Sequence, residues 1–180
     1  MKKIRRYSYA QIIAIALAVV LYSGLKLFPL SSHASAKNEF LHVARVVDGD
    51  TLKLSNGERI RLIGVDTPEL HYSSKLLRDA KRTHKDIRVI QELGSEAKNF
   101  TSNLCLGKKV RLEFDVEKRD RYGRLLAYVY LEDGTFVNAK ILEEGYGKTM
   151  TIPPNVKYAE YFLKLQEKAR AGNKGSWSRY

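Results

Sequence analysis

Carboxylates gather in two short stretches of this 180-residue chain. Asp66 and Glu69 lie three positions apart in the run 64–69 (GVDTPE), where Pro68 ends an apolar, strand-like stretch. An earlier run, 48–50 (DGD), has turn chemistry and carries two more acids. Hard divalent cations prefer carboxylate oxygens, so acids at two strand ends predict a metal site.

Two arginines accompany these acids in the sequence. Arg61 lies five residues before Asp66, so strand parity alone would put them on opposite faces, and twist or a bulge must bring them together. Arg124 follows the turn at 122–123 and approaches from another strand. Guanidinium groups bind phosphate oxygens in a bidentate manner that lysine reproduces poorly. A cation, a carboxylate to aim water and two arginines together predict a phosphodiesterase.

Each pattern also has a purely structural interpretation. The run 48–50 is typical of turns, and 66–69 (DTPE) suits a turn followed by a helix start. Arg61 could be an ordinary strand residue whose charge reaches solvent, and 121–124 (RYGR) a basic hairpin tip. The occurrence of all four in this order favours the catalytic interpretation.

Short apolar and β-branched stretches predict an α+β fold. The predicted strands span residues 40–47, 51–54, 59–65, 110–114 and 125–131. The predicted helices span 95–107, 138–144 and 158–171, with Ser95 as the first cap and Gly107 as its end. This order predicts a five-stranded Greek-key β-barrel of the OB-fold type with about three helices. The tail from Gly172 is predicted to be loose, with Trp177 packed back onto the body.

The segment 70–93 separates the third predicted strand from the first clear helix. It carries six basic and three acidic residues, with apolar residues at partly helical spacing. We interpret it as a helix-rich excursion beside the carboxylate turn. Two roles stay open for it: a solvated amphipathic helix over the barrel, or a contact with substrate.

The first 36 residues are predicted to be a targeting segment. Residues 2–6 are rich in Lys and Arg, 12–25 is an uncharged apolar run, and a small-x-small pattern ends at Ala36. This predicts a signal peptide cleaved after Ala36. An uncleaved membrane anchor is the alternative, although 14 apolar residues are short for a span of about 20. In either case the domain at 37–180 is expected outside the cytoplasm, secreted or membrane-anchored.

The composition fits one domain attracted to polyanions. The chain has 32 Lys and Arg against 20 Asp and Glu, a formal net charge of +12. Its length beyond the targeting segment suits a single core that needs no disulfide. The single cysteine, Cys105, lies in an apolar stretch and is predicted to be a small buried hydrophobe.

Several motifs in register resemble the thermonuclease family, typified by staphylococcal nuclease. The matching runs are 47–51 (VDGDT), 61–69 (RLIGVDTPE), 94–97 (GSEA), 120–128 (DRYGRLLAY) and 137–138 (VN). The resemblance covers roughly residues 40–178. It implies an OB-fold, calcium-dependent nuclease that acts on DNA and RNA, cleaves the 5′ P–O bond and leaves 3′-phosphate ends.

The resemblance also implies roles for the acidic residues. Asp50 and Asp66 correspond to direct calcium ligands, together with the carbonyl oxygen of Thr67. Asp48 corresponds to a residue of the outer coordination sphere. Glu69 resembles the residue that activates or orients the attacking water.

The basic motif residues receive roles at the phosphate in the same way. Arg61 and Arg124 resemble the pair that grips the phosphate and stabilises the transition state. Tyr122 resembles a tyrosine that contacts a nucleotide phosphate, and Arg121 beside it is assigned to substrate binding.

Two departures from the family pattern concern substrate binding. The segment 70–93 is longer and more basic than the usual loop, which bears on substrate access. The stretch 149–154 (TMTIPP) stands where family members carry base-pocket aromatics, yet it contains no tyrosine. Tyr146 and Tyr158 flank that stretch without a clear alignment, so base preference stays open.

Two other functions compete with the nuclease. A non-catalytic OB-fold module that binds single-stranded nucleic acid is the main alternative, but unneutralised carboxylates would repel phosphate. A calcium-stabilised structural domain leaves the arginines unexplained. We therefore expect a nuclease with DNA and RNA as substrates and no protein partner. It is expected to be monomeric and to meet a membrane only through an uncleaved N-terminal segment.

Overall fold

The computed structural model describes residues 41–179. The predicted targeting segment, 1–36, and the first residue of the predicted first strand, Phe40, lie outside the described residues. None of the helices within 41–179 combines the length and the apolar character needed to cross a bilayer.

Seven strands form a barrel and a separate ribbon. They are β1 (Leu41–Asp48), β2 (Thr51–Leu54), β3 (Arg59–Leu62), β4 (Gly64–Asp66), β5 (Lys109–Glu113), β6 (Leu125–Leu131) and β7 (Lys148–Met150). Five of them close in the order β1-β2-β3-β6-β5, while β4 and β7 pair as a two-stranded ribbon. The β3–β6 pair is parallel and the other barrel pairs are antiparallel. The predicted five-stranded OB-fold barrel of the α+β class is confirmed.

Four α-helices and one 3-10 helix complete the described residues. They are α1 (Ser74–Thr83), α2 (Ile87–Cys105), α3 (Val137–Glu143), α4 (Ala159–Ala171) and the 3-10 helix Gly175–Arg179. The number of α-helices exceeds the expected three because the segment 70–93 folds into α1 and the first turns of α2. The helical interpretation of that segment is therefore correct.

The predicted cap of the long helix is wrong. Ser95 lies inside α2, which begins eight residues earlier, and the carboxylate of Asp86 accepts the capping hydrogen bond from the Arg88 amide at 2.7 Å. The preceding glycine has a different purpose. A Cβ on Gly94 would lie 2.8 Å from the backbone at Glu69, so the glycine permits close approach of α2 to the acidic turn.

The third predicted strand is interrupted, which changes the direction of the acidic turn. We expected one strand over 59–65, but β3 ends at Leu62 and β4 starts at Gly64 with φ +78°. A Cβ on Gly64 would lie 2.5 Å from the ring of Phe162 in α4. Only glycine meets both demands at low cost. The break lets β4 leave the barrel and pair with β7 instead.

The core fills the barrel and continues under α3. Asn138 in α3 is fully buried, donates to the Ile63 carbonyl at 2.8 Å and accepts from the Val129 amide at 2.9 Å. These bonds satisfy one buried backbone group directly after β3 and one within β6, and so tie α3 to both strands. Cys105 is buried as predicted, and burial raises the pKa of its thiol to about 12.

The tail after Gly172 is ordered, so the prediction of a loose end is wrong. The 3-10 helix buries Ser176, whose amide donates to the Gly145 carbonyl at 3.0 Å. Arg179 pairs with Glu92 at 3.4 Å and also with Glu96, both on α2. Ion pairs between positions more than eighty residues apart thus hold the tail on the body.

Candidate active site

One arginine joins the two acidic stretches. Arg61 Nη1 lies 2.5 Å from Asp50 Oδ2, and its Nη2 donates to Asp66 Oδ1 at 3.2 Å. Asp50 Oδ2 also accepts from the amide and hydroxyl of Thr67, at 2.9 and 3.1 Å. Arg61 and Asp50 are 8% and 6% exposed, so this network is largely withdrawn from water.

The strand break explains how Arg61 and Asp66 meet. In the β2–β3 pair Arg61 lies opposite Thr51, directly after Asp50 at the β1–β2 turn. The left-handed conformation of Gly64 reverses the side-chain alternation before Asp66. The five-residue spacing that would put Arg61 and Asp66 on opposite faces of one continuous strand is thus compatible with their contact, because the strand is broken at Gly64.

Asp48 and Glu69 face the same region as Asp50. Within the described residues no donor hydrogen-bonds to the buried Oδ1 of Asp48, although His71 Nε2 lies 3.9 Å away. Burial raises the pKa of Asp48, and repulsion from Asp50 and Glu69 raises it further. Glu69 accepts a bond of 3.4 Å from Ser73 Oγ, the N-cap of α1. Mutual repulsion among carboxylates is what a bound cation would relieve.

The donor set fits a hard metal ion. Asp50 and Asp66 present carboxylate oxygens, Thr67 is bonded to Asp50 through its amide and hydroxyl, and the buried Asp48 Oδ1 has no hydrogen-bond donor within residues 41–179. Within residues 41–179 no three His, Cys, Asp or Glu side chains surround a common point. A cation here would therefore have few protein ligands and keep water molecules, as oxygen-ligated cations in open sites do.

The second arginine lies in a groove that begins beside Arg61. This groove, of about 440 Å³, contains both predicted phosphate-binding arginines and the predicted substrate residues Arg121 and Tyr122. Arg124 Nε donates to Asp120 Oδ2 at 2.7 Å, and its amide donates to Oδ1 at 3.0 Å. Burial raises the pKa of Asp120, but these bonds from Arg124 outweigh it and hold the pKa below its ordinary value. The guanidinium of Arg124 is thus held in one orientation by Asp120.

An exposed aromatic ring forms the outer wall of the groove. Tyr122 is 68% exposed, its hydroxyl accepts from Arg121 Nη2 at 2.7 Å, and the Arg121 guanidinium lies 4.9 Å from the ring centre. Arg124 lies 5.5 Å from the same ring. An aromatic face between two guanidiniums can contact a nucleotide through its base, its sugar or its phosphate.

Comparison with known proteins assigns the family. Residues 59–179 match the family model described as staphylococcal nuclease homologue. The chain belongs to this family. It is 38% identical to a thermonuclease of Staphylococcus intermedius over 174 residues, which cover 93% of this chain and 95% of the relative. A thermonuclease of Staphylococcus hyicus is 36% identical, with coverage of 94% and 92%.

A more distant relative extends the comparison beyond staphylococci. A prophage-derived endonuclease of Bacillus subtilis is 36% identical over 140 residues, which cover 75% of this chain and 43% of the relative. The resemblance to thermonucleases is confirmed, and this staphylococcal nuclease homologue is a hydrolase of the nuclease type. Metal dependence is general in the thermonuclease family.

The structure adds residues of this nuclease that sequence reasoning missed. Met150 and Ile152 line the groove, in the stretch for which the resemblance implied aromatic residues, and Ile152 is 58% exposed. Their alternation in 149–154 was the available signal. Tyr146 stacks on Phe100 at 4.4 Å and Tyr158 packs on Tyr128, so neither is among the described groove residues. The groove surface next to Tyr122 is therefore apolar and has no second aromatic ring among its described lining residues.

Arg124→Ala is expected to reduce kcat of this nuclease by about 10²-fold and to weaken mononucleotide binding by less than tenfold. The contact strengthens as charge builds on the phosphoryl oxygens, so truncation costs the transition state more than the ground state. Steady-state kinetics and calorimetric titration with a nucleoside bisphosphate measure both effects. Arg45→Ala is the control, because Arg45 is exposed on β1 and is not among the described groove residues. Equal losses of kcat and of mononucleotide affinity would show that Arg124 only binds substrate and does not stabilise the transition state.

Proposed function

We propose that this protein is a secreted or surface-tethered nuclease that uses calcium to hydrolyse phosphodiester bonds of DNA and RNA, leaving 3′-phosphate ends. One observation carries the proposal. Arg61 bonds to both carboxylates of the candidate metal site and also lines the arginine- and tyrosine-containing groove. Arg61 therefore connects the carboxylates suited to a cation with the groove that holds the groups suited to a phosphate.

The proposed metal ligands are Asp50, Asp66 and the Thr67 carbonyl, with Asp48 in the outer coordination sphere. A calcium ion held there would withdraw charge from a phosphate oxygen and favour deprotonation of a nearby water. Burial of Asp50 and its bonds from Thr67 fix the carboxylate in place before any cation arrives. Hard oxygen donors suit calcium, as they suit other hard divalent cations.

The proposed catalytic residues are Arg61, Arg124 and Glu69. The two guanidiniums bind the non-bridging phosphoryl oxygens and stabilise the charge that builds in the transition state. Glu69, at the metal-facing end of the acidic turn, accepts the proton of the attacking water. Its bond from Ser73 Oγ ties the direction of that carboxylate to the first turn of α1.

The groove supports a substrate range that includes both nucleic acids. Arg121 and Tyr122 lie where a neighbouring phosphate or sugar would pass, and Met150 and Ile152 offer an apolar surface to a base. Phosphates and flat base faces are common to DNA and RNA, so these contacts favour neither one.

Calcium dependence is tested by degradation of single-stranded DNA in millimolar calcium and then with excess chelator. We expect cleavage in calcium, loss of essentially all activity in chelator, recovery on re-addition of calcium, and 3′-phosphate ends on the products. The ends are identified by whether a phosphatase is needed before 3′ extension. Full activity in chelator would overturn the metal requirement. Tight binding without cleavage under both conditions would favour the non-catalytic OB-fold module instead.

A further inference from the structure

Helix α1 is anchored beside the active site. Its first turn is capped by Ser73 Oγ, which accepts from the Leu76 amide at 3.1 Å, and Leu76 is fully buried. Gln91 Nε2 donates to the Leu70 carbonyl at 3.1 Å and so fixes the chain that leads into α1. The helix therefore presents its C-terminal end at a defined position.

A half-open pocket lies between that end of α1 and the β4–β7 ribbon. Three cations line it: Arg82 and Lys85 from the α1 region and Lys148 from β7. The ribbon wall also includes Asp66, the candidate metal ligand, which lies opposite Lys148 in the β4–β7 strand pairing. The pocket thus joins the basic segment 70–93 directly to the metal side of the active site.

The charges of this pocket favour an anion. Its two acids are already bonded to arginines: Asp66 to Arg61 at 3.2 Å and Asp79 to Arg82 at 2.7 Å. Arg82 and Lys148 line the same pocket, and Lys85 beside them also donates to the Arg179 carbonyl in the tail. An anion at the mouth of the pocket would accept charge-assisted hydrogen bonds from these side chains.

The ribbon relates the pocket to the nucleotide groove. Gly64 pairs with Met150 at the groove end, and Asp66 pairs with Lys148 at the pocket end. Two residues along a strand span about 7 Å. That distance is comparable to the spacing of consecutive phosphates in an extended single strand. A strand held in the groove would therefore carry its next phosphate towards the pocket.

We propose that Arg82, Lys85 and Lys148 form a subsite for a phosphate of the nucleotide adjacent to the scissile one. This inference rests on the proposed function, because it extends the same active site along the strand. It gives the basic segment 70–93 a role in substrate binding. It also makes strands of several nucleotides better substrates than a single dinucleotide.

The test compares kcat and KM for a 12-nucleotide single strand and for a dinucleotide with one phosphodiester bond. Arg82→Gln and Lys85→Gln are each expected to raise KM for the longer strand about five-fold, with kcat and the dinucleotide KM within two-fold of wild type. Each variant should also reduce the dependence of log(1/KM) on log salt by about one unit. Lys81→Gln is the control, because it removes an exposed charge from the same helix and is not among the described pocket residues.

The outcomes separate this subsite from the function on which it rests. Equal effects of Lys81→Gln and Arg82→Gln, or equal KM increases for both substrates, would overturn the subsite while leaving the nuclease intact. Altered inhibition by inorganic phosphate without any change in KM for the longer strand would mean a free-anion site, and would also overturn it. If wild type cleaves neither substrate, the proposed function fails. In that case the dissociation constant of the labelled 12-nucleotide strand, measured by fluorescence anisotropy, is compared among the same variants.

Discussion

Glu69→Gln is expected to lower kcat by about 10²-fold or more while calcium and nucleotide affinities stay near wild type. Glutamine keeps the shape of the side chain and an oxygen that can accept the 3.4 Å bond from Ser73 Oγ. It cannot take a proton from water at neutral pH. The loss should therefore fall on the chemical step, which single-turnover kinetics at saturating enzyme measure directly.

Glu132→Gln provides the matched control for this change. Glu132 is an exposed carboxylate in the turn that follows β6, paired with Lys109 at 3.7 Å. Its replacement should leave every kinetic constant within a factor of two. If Glu69→Gln also stays within that factor, Glu69 is not the general base. A large loss of calcium affinity in Glu69→Gln would instead make Glu69 a metal ligand.

Arg61→Gln is expected to affect both catalysis and stability. It removes a transition-state contact, for which we expect kcat/KM to fall by about 10²- to 10³-fold. It also removes the counter-charge of two acids, one of them buried, which should lower the free energy of unfolding without metal by about 3 kcal/mol. Urea unfolding in chelator measures the second effect. Calcium should then restore part of the lost stability, because a cation can replace the guanidinium between Asp50 and Asp66.

Arg59→Gln separates the role of Arg61 from general loss of charge on β3. Arg59 is exposed on the same strand, two residues away, so its replacement should change the free energy of unfolding by less than about 0.5 kcal/mol. Unchanged stability of Arg61→Gln in chelator would show that the Asp50–Arg61–Asp66 network does not hold the acidic turn. Equal stabilisation of Arg61→Gln and wild type by calcium would exclude the replacement of guanidinium by metal.

The barrel was predictable because its strands carry local signals. Alternating apolar residues and the turn at 55–57 placed β1 to β3, and the same alternation placed β5 and β6. The break before Gly64 was not predictable. It depends on the ring of Phe162, which lies almost a hundred residues later. The false cap at Ser95 has a similar cause, since Gly94 is required by backbone contact with Glu69 rather than by a helix start.

The candidate site was predictable only where its residues stand in local sequence motifs. The sequence motifs identified Asp50, Asp66 and Arg61, and the structure brings these three into direct contact. Asp120, which orients Arg124 over four residues, could have been recognised from spacing alone. Lys148 could not, because β7 has only three residues and forms through its partner β4. Short strands that depend on a distant partner leave almost no local pattern.

The ribbon of β4 and β7 also affects how this protein can be redesigned. Its hydrogen bonds are separate from the ladder that closes the barrel. Met150 and Ile152 line the groove, where they are half-buried and exposed, respectively. Randomising these two positions should therefore vary base selectivity while barrel packing stays intact. The same separation would let related chains diversify their substrate preferences quickly without first acquiring compensating changes in the core.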